Sequence, residues 1–319
     1  MTRSAAPAPA PGPVAAPTSA LAAATADRSV LLGIAWMAAF SIIAPGLDVF
    51  AKMAAATAPL GVIVLSRFVV QATLLGAVTW LARRPLPARA DLPLHALRGV
   101  LIAAATLMFF AALRRMPLAD AIAVFFVEPL ILTALSALLL GERVGWRRWT
   151  ACGVGFAGVL LVVQPNFAAA GPAALFPLGA AVCFALYLIL TRRLSPRTDP
   201  FPMQTLAALS GGAVIGAALL IGQGTGTDFD PRWPVGEEWA LLLGLGVFST
   251  VSHLCVVMSL RHAPASVVAP VQYLELACAA FYGWAVFGDV PVAAAWAGMA
   301  IISASGLYVW HRERAAARR

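Results

Sequence analysis

Apolar residues run along this chain in ten stretches, at about 30–52, 58–81, 93–113, 117–140, 146–164, 173–191, 203–222, 238–260, 264–287 and 292–310. Short polar breaks rich in Arg, Pro and Gly separate them. About 20 helical residues cross the hydrocarbon core of a bilayer, so each stretch is long enough to span or nearly so. The pattern predicts an all-α integral membrane protein with ten transmembrane helices, numbered here as segments one to ten.

The pattern also repeats. Shifting the chain by 147 places lays Leu113–Gln164 on Leu260–His311 without a gap. The first copy begins LRRMPLADAIAVFFVEPLILTALSALLLGERV and the second LRHAPASVVAPVQYLELACAAFYGWAVFGDVP. Pro117 falls on Pro264, Glu128 on Glu275, Gly141 on Gly288, Glu142 on Asp289 and Trp149 on Trp296. A carboxylate held at one place in two apolar helices points to a duplicated membrane unit, the internal symmetry from which many secondary transporters are built.

Composition sharpens this. The chain is 61% hydrophobic and 11% charged, with a mean hydropathy of +0.87, which excludes an ordinary soluble domain. A net charge of +8 could suggest nucleic acid, but the cations sit at helix ends. With both termini inside, the inward segments take Arg83, Arg84, Arg89, Arg98, Arg143, Arg147, Arg148, Arg192, Arg193, Arg197 and both tails, and the outward ones only Lys52, Arg114, Arg115 and Arg232. This bias predicts cytoplasmic termini. Five helices per copy is an odd number, so the second copy inserts upside down. Cys152, Cys183, Cys255 and Cys278 lie in apolar segments with no paired spacing and read as inert packing residues. Residues 1–28, rich in Ala and Pro, read as a disordered tail, and 312–319 as a basic cytoplasmic one.

Polar residues inside the apolar stretches are the candidates for chemistry, because a charge at the bilayer centre is costly and needs a partner or water. Asp48 follows a Pro45-Gly46 interruption in segment one, with Lys52 four residues on; this is either an i,i+4 pair or a polar gate. Arg67 lies deep in segment two, too far in to snorkel, with Gln71 on the same face. Glu128 sits mid-way along segment four. Pro129 after it frees the carbonyl of Phe125, so acid and carbonyl together make a plausible cation or proton site. Ser249, Thr250 and His253 share a face of segment eight. Gln272, Glu275, Ala279 and Tyr282 form one stripe on segment nine, as a cavity wall would. Gly141 and Gly288 end segments four and nine as helix caps, and the glycines of segments five and seven read as packing positions.

At the units LxxxPLADA…E…LLLGERV and LRHAPAS…E…VFGDV the chain resembles the drug/metabolite transporter superfamily, specifically proteins with two EamA domains. The likeness covers nearly everything after residue 29, with 29–165 as one repeat and 172–311 as the other. It implies two inverted five-helix halves around a substrate cavity formed mainly by segments three, four, eight and nine. The stretch FFVEPLILTALSALLLGE looks like members proposed to move vitamins, nucleoside-like metabolites or amino acid derivatives. The expected activity is alternating-access transport of a small organic solute in the inner membrane. Glu128, Glu275, Gln272, Tyr282, His253 and Phe125 would bind it, and Glu128, Glu275, Asp48 and Arg67 would couple or gate. Protons are the natural coupling ion for buried carboxylates, although multidrug or metabolite export, exchange or uniport would leave the same sequence. No P-loop, HExxH or ligand cluster points to ATP drive, enzyme chemistry, a cofactor or a metal. A receptor without transport is a further alternative. The expected partners are the solute, the lipid bilayer and protons, with no nucleic acid, in a monomer or homodimer.

Overall fold

The computed structural model describes residues 17–140, 146–194, 197–263 and 271–317. Among them all regular structure is helical: α1 (Pro17–Ala54), α2 (Leu60–Leu81), α3 (Leu92–Leu113), α4 (Leu118–Phe125), α5 (Glu128–Leu140), α6 (Trp146–Ala170), α7 (Phe176–Leu194), α8 (Pro200–Ile221), α9 (Glu238–His262), α10 (Leu274–Tyr282) and α11 (Ala293–Ala317). Six of these stretches, within 29–54, 60–81, 89–113, 171–191, 200–221 and 238–259, are long and apolar enough to cross a membrane. Shorter apolar helical runs lie at Gly153–Val162, Leu274–Phe287 and Ala293–Ser305. Leu31, Trp80, Leu160, Leu220 and Phe281 are exposed on the bundle surface, where lipid takes the place of an apolar core.

Two of the predicted segments are not single helices. Segment four divides into α4 and α5 at Phe126 and Val127. Pro129 explains the division, because it has no N–H and its ring collides with the carbonyl of Phe125, where α4 stops. Segment nine is interrupted at Tyr273, between a helical turn at Val271 and Gln272 and the start of α10. Position 276, which matches Pro129, is a leucine, so proline chemistry does not cause the second break. After Tyr282 the chain widens into a π turn, Gly283–Phe287, and Gly288 closes it at φ +70°, the left-handed cap that glycine adopts without strain. Gly141 and Glu142 lie outside the described residues. The first helix begins at Pro17, upstream of the predicted start; residues 1–16 and 318–319 lie outside the description.

Pairs of matching segments run antiparallel. On α2 and α8, segments two and seven, Gly61 sits against Leu219, Phe68 against Gly211 and Gly76 against Thr205. On α6 and α11, segments five and ten, Gly155 meets Ser305 and Gly158 meets Ile301 and Gly298. Contacts between helices also come in exchanged sets. α1 packs on α9 as α7 packs on α3, α2 on α9 as α8 on α3, and α10 on α1 as α5 on α7.

Candidate functional site

A cavity opens where α1, α2, α3, α4, α7, α9 and α10 converge, with about 580 Å³ of unfilled space counting its mouth. Five phenylalanines wall it: Phe40 from α1, Phe109 and Phe110 from α3, Phe125 from the end of α4 and Phe184 from α7. Phe125 is the hub. Its ring lies 5.5 Å from Phe109 and 5.4 Å from Phe184, and Phe184 stacks on Tyr187 at 5.5 Å. Edge-on and offset rings of this kind pack rigidly. The division of segment four puts Phe125 at this junction.

The polar lining is Asp48, Arg67, Thr106, His253 and Glu275. Arg67 donates through Nη1 to the Thr106 hydroxyl and through Nη2 to Nε2 of His253 at 2.8 Å. A guanidinium can only donate, so Nε2 of His253 accepts and its proton sits on Nδ1. Nδ1 lies 3.0 Å from the Ser249 carbonyl, which takes that proton's hydrogen bond. Thr106 and His253 are themselves 147 places apart, so matching positions of the two copies hold one arginine. Asp48 and Glu275 form no hydrogen bond or ion pair with another described residue. They lie close enough for Glu275 to feel the charges of Asp48 and Glu128.

Of the residues singled out in the sequence, Asp48, Arg67, Phe125, His253 and Glu275 come together here. Glu128 does not line the cavity. It is buried at the start of α5 with one oxygen lacking a hydrogen-bond partner among the described residues, and its charge reaches Tyr273 and Glu275. Gln272 and Tyr282 are half-buried and do not line the cavity; the interruption at Tyr273 separates Gln272 from the helix of Glu275, whereas Tyr282 lies on that same helix, seven residues on. Lys52 does not pair with Asp48; it turns to Asp289 at 2.7 Å and lies over the Phe287 ring. Cys183, Cys255 and Cys278 are free thiols, and the Cys152 side chain lies outside the description.

Sequence reasoning passed over a second buried cation. Arg98, read as an orientation residue, is fully buried. It donates to Thr191 at 2.7 Å, the Met203 carbonyl at 2.7 Å, the Tyr187 hydroxyl at 2.7 Å and Gln204 at 2.5 Å. Gln204 also reaches the His253 carbonyl at 3.4 Å, and its own carbonyl accepts from Gln71 at 3.3 Å. A polar chain therefore links Arg98 to the cavity wall. The signal that could have found it is the set of Tyr187, Thr191 and Gln204, polar groups on two other apolar segments.

At one end of the bundle, residues 222–237 are tied down. Arg114 pairs with Asp228, the Gly61 N–H donates to the Asp228 carbonyl at 2.9 Å, and Arg232 grips Glu238 and the Thr57 carbonyl. The Asp230 carboxylate accepts from the backbone of Gly224 and of Gly226, each at 2.9 Å, and these bonds hold its carboxyl below the usual carboxylate range.

Comparison with known proteins bears on the whole bundle. A model of the EamA-like transporter family matches residues 31–164 and 171–310. The chain is 33% identical to a riboflavin transporter of Vibrio cholerae over 64% of this chain and 66% of that protein. It is 28% identical to the pseudopaline exporter CntI of Pseudomonas aeruginosa over 86% and 92%. With an S-adenosylmethionine uptake transporter of Rickettsia felis it shares 26% over 70% and 74%. A solved protein structure, 20% identical, superposes with a TM-score of 0.59 over 88% of this chain and 95% of that one, a likeness of fold.

Proposed function

Because the chain belongs to the EamA-like transporter family, whose members are transporters and not enzymes, we propose that it is a secondary transporter carrying a small organic metabolite across the inner membrane by alternating access. In this reading ten segments form two inverted five-helix halves, 29–165 and 172–311, with both termini cytoplasmic. The antiparallel runs of α2 against α8 and of α6 against α11 support the inversion. So do the exchanged helix contacts. The observation that carries the function is the cavity, which takes Asp48, Arg67, His253 and Glu275 from four helices into a chamber lined otherwise mainly by phenylalanine and aliphatic side chains. Clustered ionisable groups at membrane depth mark substrate and proton pathways. The relatives' names, transporters of riboflavin, pseudopaline and S-adenosylmethionine, support a solute among vitamins, nucleoside-like metabolites and amino acid derivatives.

Coupling is assigned to the carboxylates. Glu275 faces the cavity and Glu128 lies behind it within electrostatic reach, so a proton taken up on one alters the field at the other. The test is flux in proteoliposomes loaded with labelled vitamins, nucleosides and amino acid derivatives. In the parent a pH gradient accelerates uptake of at least one solute. In Glu128→Gln and Glu275→Gln the gradient has no effect, while exchange against internal solute persists in Glu128→Gln. If no solute moves in either direction under a gradient or a counter-solute, transport falls. Undiminished pH dependence in both variants removes the coupling role alone.

A further inference from the structure

The cavity's donors are engaged and its acceptors are not. Arg67 has both terminal nitrogens bound, to Thr106 and His253, and its Nε is buried with no partner among the described residues and no solvent access. His253 has both ring nitrogens occupied, by Arg67 and by the Ser249 carbonyl. Among the described residues no other cationic side chain lines the chamber. Asp48 and Glu275, by contrast, face it with their oxygens uncommitted among the described residues, and each is more than nine-tenths buried. Buried carboxylates need a proton or a donating partner. The rest of the wall is apolar, five phenylalanines set among Ala44, Leu47, Ile102, Ala105 and Ile122, and phenyl faces attract cations while repelling anions placed over them.

Resting on the transport reading above, we infer that the solute of this cavity is a flat aromatic compound carrying a cationic or N–H-rich head, the head seated between Asp48 and Glu275 and the ring against Phe109, Phe125 and Phe184. An anionic isostere meets two carboxylates and an arginine whose terminal nitrogens are already bound. A non-aromatic amine leaves the phenyl walls without a partner.

Binding to the purified full chain, measured by calorimetry and thermal shift, tests this with four probes: 2-(2-naphthyl)ethylamine, 2-naphthaleneethanol, 2-naphthylacetate and hexylamine. The expected result is that the naphthyl amine binds at least tenfold tighter than the naphthyl acetate and than hexylamine, with the alcohol between. In Asp48→Asn and Glu275→Gln the advantage of amine over acetate shrinks by tenfold or more while the advantage of the naphthyl amine over hexylamine remains. The inference is overturned if the acetate binds as well as the amine, if hexylamine matches the naphthyl amine, if both variants keep the full preference, or if none of the four binds at millimolar concentration. Flux of an anionic solute through the parent protein would leave transport standing and remove only this assignment. Tight amine binding with no flux of any solute would do the reverse.

Discussion

The rings of Phe126 and Tyr273 lie 5.7 Å apart, centroid to centroid, and the two residues occupy the same place in the two sequence copies, 147 positions apart. Each stands where its segment is interrupted. The two broken helices thus meet at their breaks, with the matching residues of the two copies packed on each other. Replacing either ring with alanine removes the contact that faces the two interruptions together. Phe126→Ala and Tyr273→Ala each destabilise the detergent-purified protein by about 3–5 kcal/mol. A double-mutant cycle on the pair gives a coupling of about 0.5–1.5 kcal/mol. Tyr273→Phe keeps the ring and leaves stability within about 0.5 kcal/mol of the parent. A coupling near zero would mean that the two breaks are held independently.

Arg67 is the charge on which the halves converge. His253→Ala leaves one guanidinium nitrogen without an acceptor in a buried site, a loss of about 1–3 kcal/mol. His253→Gln, which can present an amide oxygen at a similar reach, recovers part of it. Arg67→Met combined with His253→Ala costs less than the two changes summed, because neither leaves the other's partner stranded. Unfolding midpoints of the four proteins give the comparison. The nitrogen resonances of His253 give the tautomer directly: a proton on Nδ1 and none on Nε2.

Arg67, Asp48, His253 and Glu275 could be read from the sequence as site residues because a charge or imidazole inside an apolar run stands out without any knowledge of its surroundings. The duplication did the same for segments four and nine, whose matching acids mark matching places. What stayed hidden depends on contacts between distant segments. Arg98 lies near a helix end, where a snorkelling arginine and a buried one look alike, and Thr191, Met203 and Gln204 are about a hundred residues away. Gln272 stands off the cavity for a different reason: it shares a stripe with Glu275 only on a regular helix, and no proline at Tyr273 announces the interruption between them. Tyr282 shares the regular helix of Glu275 and still does not line the cavity, which its spacing alone does not reveal. Of the five phenylalanines of the cavity only Phe125, beside Pro129, stood out; Phe40, Phe109, Phe110 and Phe184 are invisible in an apolar background where any of the sixteen in the chain could serve as core or lipid-facing surface.

Asp230 should make the 222–237 segment sensitive to acid. Its carboxyl is held below the ordinary range by the Gly224 and Gly226 N–H groups, so the charged form is favoured in the folded loop. That contribution is fully present above the unfolded carboxylate pKa of about 3.9 and is lost as pH falls through the lower folded value. Limited proteolysis reads it out. At pH 6 Asp230→Asn is cut within 222–237 faster than the parent, and with an acid-active protease that difference narrows as pH is lowered step by step below about 3.9. Equal cutting at pH 6 would show that the carboxylate does not hold the loop.

The antiparallel crossing of α6 and α11 is set by glycine on both sides. A Cβ on Gly298 would stand 2.6 Å from the Gly158 carbonyl oxygen and 2.5 Å from a Val162 methyl, and one on Gly158 would stand 3.0 Å from the Gly298 carbonyl. Backbone on the far side cannot rotate away as a side chain can, so a larger residue must push the helices apart. Gly298→Val therefore costs about 1–3 kcal/mol, enough to lower the unfolding midpoint and disturb any rocking of the halves that this crossing bears. Gly153 is the control. It lies on the same helix, but nothing stands within 4 Å of a Cβ placed there, and alanine is the better helix former. Gly153→Ala is expected to stabilise by about 0.4–1 kcal/mol. Thermal midpoints moving down for Gly298→Val and up for Gly153→Ala would place the close approach on the 155–158 face of α6. The same sign for both would mean that the helices are not held at glycine distance.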